Sequence, residues 1–326
     1  MRTVYYRDAI REALDEEMAR DPSVLVLGED MGPNGGTWKE TRGLWEKYGD
    51  LRMKDTPISE SGFVGMSVGM ALTGLRPVAK VMFSDFMLVA MDQIANQMAK
   101  ITYMSGGQMP VPMVLRTTIG LGRSSAAQHS QNLNAVIAHF PGLKIAVPSN
   151  ARTAKGLLKT AIRDDDPVIV VENRLHYGRQ FELPDEGAAE ELIPLGKAAV
   201  LHEGSDLTVV SCSEPVNTCL RVAAELEKEG IGVEVIDLQT IRPLDRETII
   251  RSVKKTGRLL LVDEGYTSFG ITGEIALSIM PDVFYDLDAP IMRVCSPDVP
   301  VPFSPALEKL IIPDENRIRE AIRKML

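Results

Sequence analysis

The acid Glu60 heads an otherwise small and apolar segment, TPISESGFVGMSVGMALTG at 56–74. The segment predicts a buried helix, and Gly62, Gly65 and Gly69 would let another backbone come close because glycine lacks a Cβ. A carboxyl group placed in apolar packing is costly unless it is paired or holds a proton. Such an acid is suited to sharing a proton with a bound base. The alternative is an ordinary acid in a first helical turn, where the helix dipole favours negative charge.

His129 is the second candidate for proton chemistry, in the stretch AAQHSQN. It lies in a predicted loop at 119–131 that also contains Gly120, Gly122, Ser124 and Ser125. Loops at the carboxyl ends of parallel strands are where open α/β sheets bind ligands, and loops of this kind carry much of the function of a fold. The alternative is a histidine that is structural or simply exposed.

Several other kinds of site are excluded by the sequence. No Cys/His pair has zinc-ligand spacing, and neither a Walker loop nor a G-x-G-x-x-G or G-x-S-x-G motif is present. The formal charge of −9 argues against a general nucleic-acid role. No apolar run approaches the ~18 residues of a membrane span. An odd count of three cysteines, with no cleavable signal at the start, predicts a reducing compartment, and we expect a cytoplasmic protein.

The elements that must position these residues alternate between helix and strand. Helices are predicted at 3–20, 60–74, 85–103, 151–163, 215–229, 245–256 and 272–279. Strands are predicted at 24–27, 76–83, 111–116, 143–147, 168–171, 207–211, 233–238 and 258–262. This order predicts an α/β fold of open, mostly parallel sheets. The 326 residues exceed the usual size of one core, so we predict two domains, 1–186 and 194–326, joined by an acidic linker at 187–193.

Several segments occur in a fixed order that resembles one known family. They are DTPISESGFVG, FSDFMLVAMDQI, KITYMSGG, AAQHSQNL, PGLKIAVPS, VIDLQTIRPLD and TGRLLLVDEG. Together they resemble the beta subunit of the thiamine diphosphate-dependent decarboxylating component of 2-oxo acid dehydrogenase complexes, which include the pyruvate, branched-chain 2-oxo acid and acetoin types. The resemblance covers essentially the whole chain. It implies a pyrimidine-binding, transketolase-like domain followed by a transketolase C-terminal-type domain.

The resemblance also implies roles for three residues. Glu60 matches the acid that bonds the pyrimidine nitrogen of thiamine diphosphate and exchanges a proton with it. Phe86 matches the aromatic residue that packs on the pyrimidine, although a Phe beside a Met-rich helix is as often part of a core. His129 matches a histidine near the substrate, which would hold an oxygen and relay a proton during acyl transfer to a lipoyl group.

Some members of the family bind a structural potassium ion. The matching positions here are Met113, Ala161, Ile162, Asp164 and Asp166. The alternative is that the DDDP stretch at 164–167 is only a solvated turn after a helix.

A missing motif predicts partners. Thiamine enzymes hold the diphosphate through magnesium, bound by a GDG motif that this sequence lacks. We therefore expect an alpha subunit to hold the magnesium, in a heterotetramer of two alpha and two beta chains that serves a lipoyl-bearing dihydrolipoyl acyltransferase core. The helices at 60–74 and 86–104 are candidates for interface surfaces or for intradomain core.

The function implied is cleavage of a 2-oxo acid of the pyruvate type, or of acetoin, next to its carbonyl, with transfer of the acyl group to lipoyl protein. This makes the chain an oxidoreductase subunit that is active only with its alpha subunit. Branched-chain 2-oxo acid specificity and a non-catalytic scaffold subunit stay open as alternatives. The missing GDG and the length disfavour a single-chain transketolase-like synthase.

Overall fold

A computed structural model describes residues 1–185 and 192–326 of the chain. Residues 187–191 of the predicted linker lie outside the described residues. The described chain divides into two compact units. The first unit contains Met1–Ile119 and Val136–Leu195, and the second contains Gly120–Ala135 and Gly196–Leu326. The segment 120–135, which the sequence assigned to the first domain, therefore belongs to the second unit.

The elements alternate along the chain as the sequence predicts. The strands are β1 (Arg2–Tyr5), β2 (Val24–Gly28), β3 (Met53–Asp55), β4 (Arg76–Lys80), β5 (Val114–Ile119), β6 (Lys144–Ala146), β7 (Val168–Asn173), β8 (Gln180–Leu183), β9 (Ala199–His202), β10 (Leu207–Ser211), β11 (Val233–Asp237), β12 (Thr240–Arg242), β13 (Leu259–Tyr266) and β14 (Met292–Ser296). The α-helices are α1 (Tyr6–Arg20), α2 (Leu44–Tyr48), α3 (Glu60–Leu72), α4 (Ile101–Met104), α5 (Asn134–Ala138), α6 (Ala151–Arg163), α7 (Glu214–Glu227), α8 (Arg246–Thr256), α9 (Ile271–Val283), α10 (Pro305–Glu308) and α11 (Glu315–Met325).

The first unit is built on a parallel sheet to which it contributes strands in the order β6-β7-β5-β4-β2-β3. Strands β2, β5 and β7 are buried along their whole length, as expected for a parallel sheet covered on both faces. Helices α1 and α6 pack against each other in the core of this unit. Because the strands run in one direction, their carboxyl ends lie at a common edge of the sheet.

The predicted first helix begins later than expected, because Arg2–Tyr5 forms strand β1, which pairs antiparallel with β8. The predicted long helix at 85–103 is wrong. The chain instead forms a 3₁₀ helix at Ser84–Ala90, a π-helical turn at Gln93–Met98 and the short α4. The buried residues of the 3₁₀ helix are Ser84, Asp85, Met87 and Ala90. Three of them recur at a spacing of three, which matches the three residues per turn of this helix.

The second unit contains a sheet in the order β14-β13-β10-β11-β9. All neighbouring strands in it are parallel except β9, which is antiparallel to β11. Helices α7 and α11 cover an apolar core that includes Val209, Val222, Val235 and Ile322. The α/β class and the two mostly parallel sheets predicted from the sequence are thus confirmed. Across residues 1–185 and 192–326, no helix is both long and apolar enough to cross a membrane.

Candidate functional site

Glu60 is the first residue of α3, as the sequence predicts, and Ser59 before it makes no side-chain capping bond. Glu60 is only 7% exposed. No described residue donates a hydrogen bond to its carboxylate. A buried carboxylate without a partner is costly, and the helix dipole offsets only part of that cost. The arrangement therefore suits a ligand that shares a proton with Glu60.

Glu29 is a second acid beside Glu60, and it was not singled out from the sequence. It follows the last residue of β2, and β2 is the direct neighbour of β3, with Gly28 paired to Asp55. Burial raises the pKa of Glu29, and the carboxylates of Glu60 and Asp30 raise it further. Its Oε1 is buried and has no hydrogen-bond partner among the described residues. The signal in the sequence was its position, just after a buried strand.

Gly28 sets the geometry of the turn that carries Glu29. Its φ is +147°, and an added Cβ would lie 2.6 Å from the carbonyl oxygen of Lys80 on the neighbouring strand β4. A side chain at this position would collide with backbone and force the two strands apart. Glycine is therefore required for the direction in which the chain leaves β2.

Phe86 lies in the 3₁₀ helix that follows β4, and this helix packs against α3. The ring of Phe86 is half-buried and meets the ring of Phe83 edge-on, with centroids 5.7 Å apart. Phe83 in turn packs edge-on against Trp38 at 5.5 Å. The structure thus brings together the elements that carry Glu60 and Phe86, and neighbouring aromatic rings fix the Phe86 side chain in place.

His129 belongs to the second unit and is exposed. Its backbone oxygen accepts a hydrogen bond from the Arg123 guanidinium at 2.6 Å. The backbone N–H groups of Gly122 and Ser124 donate to the carboxylate of Glu308 at 2.7 and 2.8 Å. Glu308 was also not singled out from the sequence, because nothing local to it indicates a partner almost two hundred residues earlier.

Two further buried acids lie at the end of β13 in the second unit. Burial raises the pKa of Glu264 to about 8, and the charge of Glu214 adds to the effect. Burial also raises the pKa of Asp263, to about 6. Glu264 accepts a long hydrogen bond from the N–H of Leu121 at 3.5 Å.

A buried ionic group ties β4, β5 and β7 together in the first unit. Glu172 accepts hydrogen bonds from the Lys80 ammonium at 2.7 Å and from the Arg116 guanidinium at 2.6 Å. Burial lowers the pKa of Lys80 to about 8. Burial also acts to raise the pKa of Glu172, but Arg116 and Lys80 together lower it to about 2. The Glu172 carboxylate therefore stays ionised and also accepts a hydrogen bond from Tyr177.

The residues predicted to bind potassium lie around the end of α6 and the starts of β5 and β7. The carbonyl oxygens of Ile162 and Asp164 both accept hydrogen bonds from the Arg76 guanidinium, at 3.1 and 2.9 Å. The carboxylates of Asp164 and Asp166 bind the Lys144 ammonium at 2.8 and 2.9 Å. Two of the predicted carbonyl ligands and both acids are thus in contact with protein cations.

The two remaining predicted potassium ligands also use their carbonyls in backbone hydrogen bonds. The Met113 oxygen accepts from Val168 at 3.0 Å, and the Ala161 oxygen accepts from Asp164 at 3.3 Å. Within the described ranges, no three His, Cys, Asp or Glu side chains are grouped so as to hold a metal. Potassium binding stays a prediction.

Comparison with known families and proteins agrees with this architecture. Residues 2–180 match the transketolase pyrimidine-binding domain and residues 196–318 match the transketolase C-terminal domain. The chain is 50% identical over 325 residues to the mitochondrial pyruvate dehydrogenase E1 component subunit beta of Homo sapiens, covering 99% of this chain and 90% of the human one. It is 48% identical over 319 residues to the subunit of the same name from Rickettsia felis, covering 98% and 97%.

A third relative and one solved structure extend the comparison. The pyruvate dehydrogenase E1 component subunit beta of Rhizobium meliloti is 46% identical over 323 residues, covering 99% of this chain and 70% of the relative. A solved structure described as a split gene transketolase, inactive beta4 tetramer, is similar over 99% of this chain and 98% of its own, with a TM-score of 0.79. At 23% identity this likeness shows the fold alone.

Proposed function

Because this chain belongs to the family of pyruvate dehydrogenase E1 component beta subunits, with the two transketolase-type domains, we propose that it acts on pyruvate as part of a thiamine diphosphate-dependent dehydrogenase. The acyl group formed would pass to lipoyl protein. Acetoin and branched-chain 2-oxo acids are the alternative substrates.

The observation that carries this proposal is the unpartnered, buried carboxylate of Glu60 at the start of α3. The residues present fit a pyrimidine ring, since Glu60 would bond the ring nitrogen and hold or release a proton there. Thiamine diphosphate, when bound, supplies a nucleophilic carbon and an electron sink for cleavage next to a carbonyl. Glu29 would place a second carboxyl group beside Glu60, and its pKa is raised by burial and by that neighbouring charge.

Phe86 and His129 have separate roles in the proposal. Phe86 would pack its ring on the pyrimidine, since Phe83 already supports it edge-on. His129 would hold a substrate oxygen and relay a proton during transfer to the lipoyl group, and its exposed position in a glycine-containing loop supports access to a partner-borne group.

The rest of the site is proposed to come from partners. Because the sequence has no GDG motif, an alpha subunit would hold the magnesium and the diphosphate, in a heterotetramer of two alpha and two beta chains. On α3, an added Cβ at Gly69 would meet no described atom within 4 Å, and Met66 is exposed. This supports α3 as an interface surface. The lipoyl-bearing dihydrolipoyl acyltransferase core would be the acceptor of the acyl group.

Two further parts of the proposal concern potassium binding and the cellular compartment. Exchange of potassium for sodium tests the predicted ion, which would show as a lower melting temperature in sodium. Cytoplasmic location stays a prediction, since the relatives include mitochondrial proteins as well as bacterial ones.

The test of the function is co-expression of the chain with an alpha subunit that carries GDG. Reduction of an artificial dye is then measured with pyruvate, acetoin and branched-chain 2-oxo acids, with and without thiamine diphosphate. We expect the highest kcat/KM with pyruvate and no turnover by the beta chain alone. A preference for acetoin would replace the substrate, and an assembled pair that is inactive on all three would favour a scaffold subunit.

A further inference from the structure

The segment 120–131, which carries His129, is held by a single buried carboxylate. Successive backbone N–H groups of Gly122, Arg123 and Ser124 donate to Glu308 at 2.7, 3.2 and 2.8 Å. Converging N–H groups of this kind form a concave anion-binding nest. Here the anion is supplied by the protein's own chain, from a residue far along the sequence.

The Glu308 carboxylate is committed to this nest. Glu308 is 2% exposed, and the described residues offer it no lysine or arginine side chain within ion-pair distance. The three N–H donors therefore compensate its buried charge, and charge-assisted bonds of this type are stronger than neutral ones. An apolar cluster of Leu121, Val301 and Ile311 also links the start of the loop to the residues before and after α10.

The loop needs such an anchor because its backbone is in a disfavoured conformation. Ser124 and Ala126 have φ values of 53° and 60°, in the left-handed region that side chains other than glycine rarely adopt. Strained residues persist only where the surroundings over-determine them. The Ser124 N–H lies directly in the nest, so the carboxylate holds the strained residue itself.

Arg123 carries this restraint to His129. Its N–H is bound by Glu308, and its side chain donates to the carbonyl oxygens of Gly120 at 3.0 Å and of His129 at 2.6 Å. Because Glu308 restrains the Arg123 backbone, the position of the Arg123 side chain is restrained as well. Its guanidinium in turn holds the backbone of His129 through a hydrogen bond. The path from Glu308 to His129 consists of two hydrogen-bonded steps.

We propose that Glu308 is a positioning residue for His129, which sets the conformation of the 120–131 loop for acyl transfer to the lipoyl group. This inference rests on the proposed role of His129 in that transfer. Glu308 itself contacts neither substrate nor cofactor in this proposal. It acts only through the nest and Arg123.

The test compares three variants in the assembled complex with the alpha subunit. E308Q keeps the shape but places an amide NH₂ against N–H donors, and E308D keeps the charge on a shorter side chain. E315Q is the control, because Glu315 is a half-buried acid paired with Arg221 and is not bound to the 120–131 segment. We measure hydrogen exchange of the 120–131 segment, pyruvate-dependent dye reduction and acylation of a lipoyl domain. Exchange in β10 and α7 reports whether the second unit is folded.

We expect E308Q to raise exchange at residues 122–124 about tenfold and to lower lipoyl acylation roughly 10- to 100-fold, since small misplacements of a reacting group have effects of this size. Dye reduction should fall less than about threefold, because it does not include the transfer to the lipoyl group in which His129 is proposed to act. E308D should recover part of the acylation, and E315Q should match the wild type. H129A combined with E308Q should lose little more than H129A alone, because both changes remove one function.

Three results would overturn the inference alone: unchanged exchange in E308Q, an equal fall of dye reduction and acylation, or losses that multiply in the double variant. Normal acylation in E308Q while H129A is impaired would do the same. Normal acylation in H129A would instead overturn the proposed role of His129, and this inference with it. The failure of the proposed function and the failure of the inference are thus distinguishable.

Discussion

The two units bury carboxylates in opposite ways. In the first unit, Glu60 is buried without a hydrogen-bond donor, and the neighbouring Glu29 leaves one oxygen unpartnered. In the second unit, Glu308 is buried more completely, yet three backbone N–H groups satisfy it. Burial alone therefore does not identify a functional acid. The acid whose partners are missing is the one that a ligand can complete, whereas the acid whose partners are present holds structure.

Glu172 shows that this difference does not follow the boundary between the units. It lies in the first unit, as Glu60 does, but two cations and Tyr177 satisfy it. Glu264 in the second unit is distinguished by its pKa, which burial raises to about 8. Glu60, Glu172, Glu264 and Glu308 are thus buried in different surroundings, and each predicts a different response to replacement by glutamine.

The largest effect on turnover is expected for E60Q. If this variant had normal turnover, the contrast drawn above between unpartnered and partnered acids would fail. Glutamine keeps the shape but cannot give up a proton as an acid, so turnover should fall roughly 100- to 10 000-fold. Steady-state dye reduction with the alpha subunit measures the loss, and circular dichroism should show an unchanged fold. E46Q, at an exposed acid of α2, is the control. Normal turnover in E60Q would remove the basis of the proposed function.

E172Q should act on stability instead of chemistry. It leaves Lys80 and Arg116 buried without their ionised partner, and breaking a buried pair in this way costs about 3–5 kcal/mol. The free energy of unfolding, from urea denaturation of the beta chain in complex, should fall by that amount, with E46Q again unchanged. A stable E172Q would show that the partnered acids are not structural.

H129A tests the second unit's contribution to chemistry. Loss of the imidazole should lower acylation of a lipoyl domain about 100-fold, the size of a lost proton relay. Thiamine diphosphate affinity, measured by calorimetry on the assembled complex, should be unchanged. H139A, a change at another histidine of the sequence, is the control. Unaltered lipoyl acylation in H129A would show that the exposed loop histidine has no role in the transfer.

The smallest effect is a pH dependence at Glu264. The pKa of Glu264 is raised from 4.5 to about 8 in the folded chain. Between these two pH values the folded chain holds a proton on Glu264 that the unfolded chain has released. Stability from this group is therefore present at low pH and falls as pH rises toward 8.

E264Q cannot lose that proton, so its melting temperature should fall less than that of the wild type between pH 5 and 8.5. At pH 8.5 we expect the free energies of unfolding of E264Q and the wild type to differ by about 1–2 kcal/mol. Thermal melting of the complex at four pH values measures it, with E315Q as the control. Parallel melting curves for E264Q and the wild type would show that burial of Glu264 has no cost.

The sequence predicted local features well. Helix α6 was predicted at the residues where it occurs, and in the structure Asn150 caps its start. The start of α3 at Glu60 was also correct. By contrast, the 3₁₀ and π-helical turns after β4 were not predicted, since the sequence pattern there is that of one α-helix and the change of helix type is seen only in the structure.

The missed residues of the site share one property. Glu29 interacts with Glu60 through the pairing of β2 and β3, and Glu308 meets its loop across 184–186 positions of sequence. Neither relation has a local pattern of hydropathy or spacing. Glu60 and His129 were found from local patterns, an acid in an apolar segment and a histidine in a loop with glycine and serine, and the family's motifs also surround them. The residues that position them are recognised only from three-dimensional contacts.

The membership of segment 120–135 in the second unit has a consequence for any attempt to cut the chain. A truncated fragment that starts at Gly196 would look like a whole domain by its family match. It would nevertheless lack Leu121, leaving a hole in the small cluster with Val301 and Ile311. It would also leave the buried Glu308 carboxylate without the backbone N–H donors of Gly122 and Ser124. A fragment of the second unit made for expression should therefore include residues 120–135, or the whole chain should be expressed.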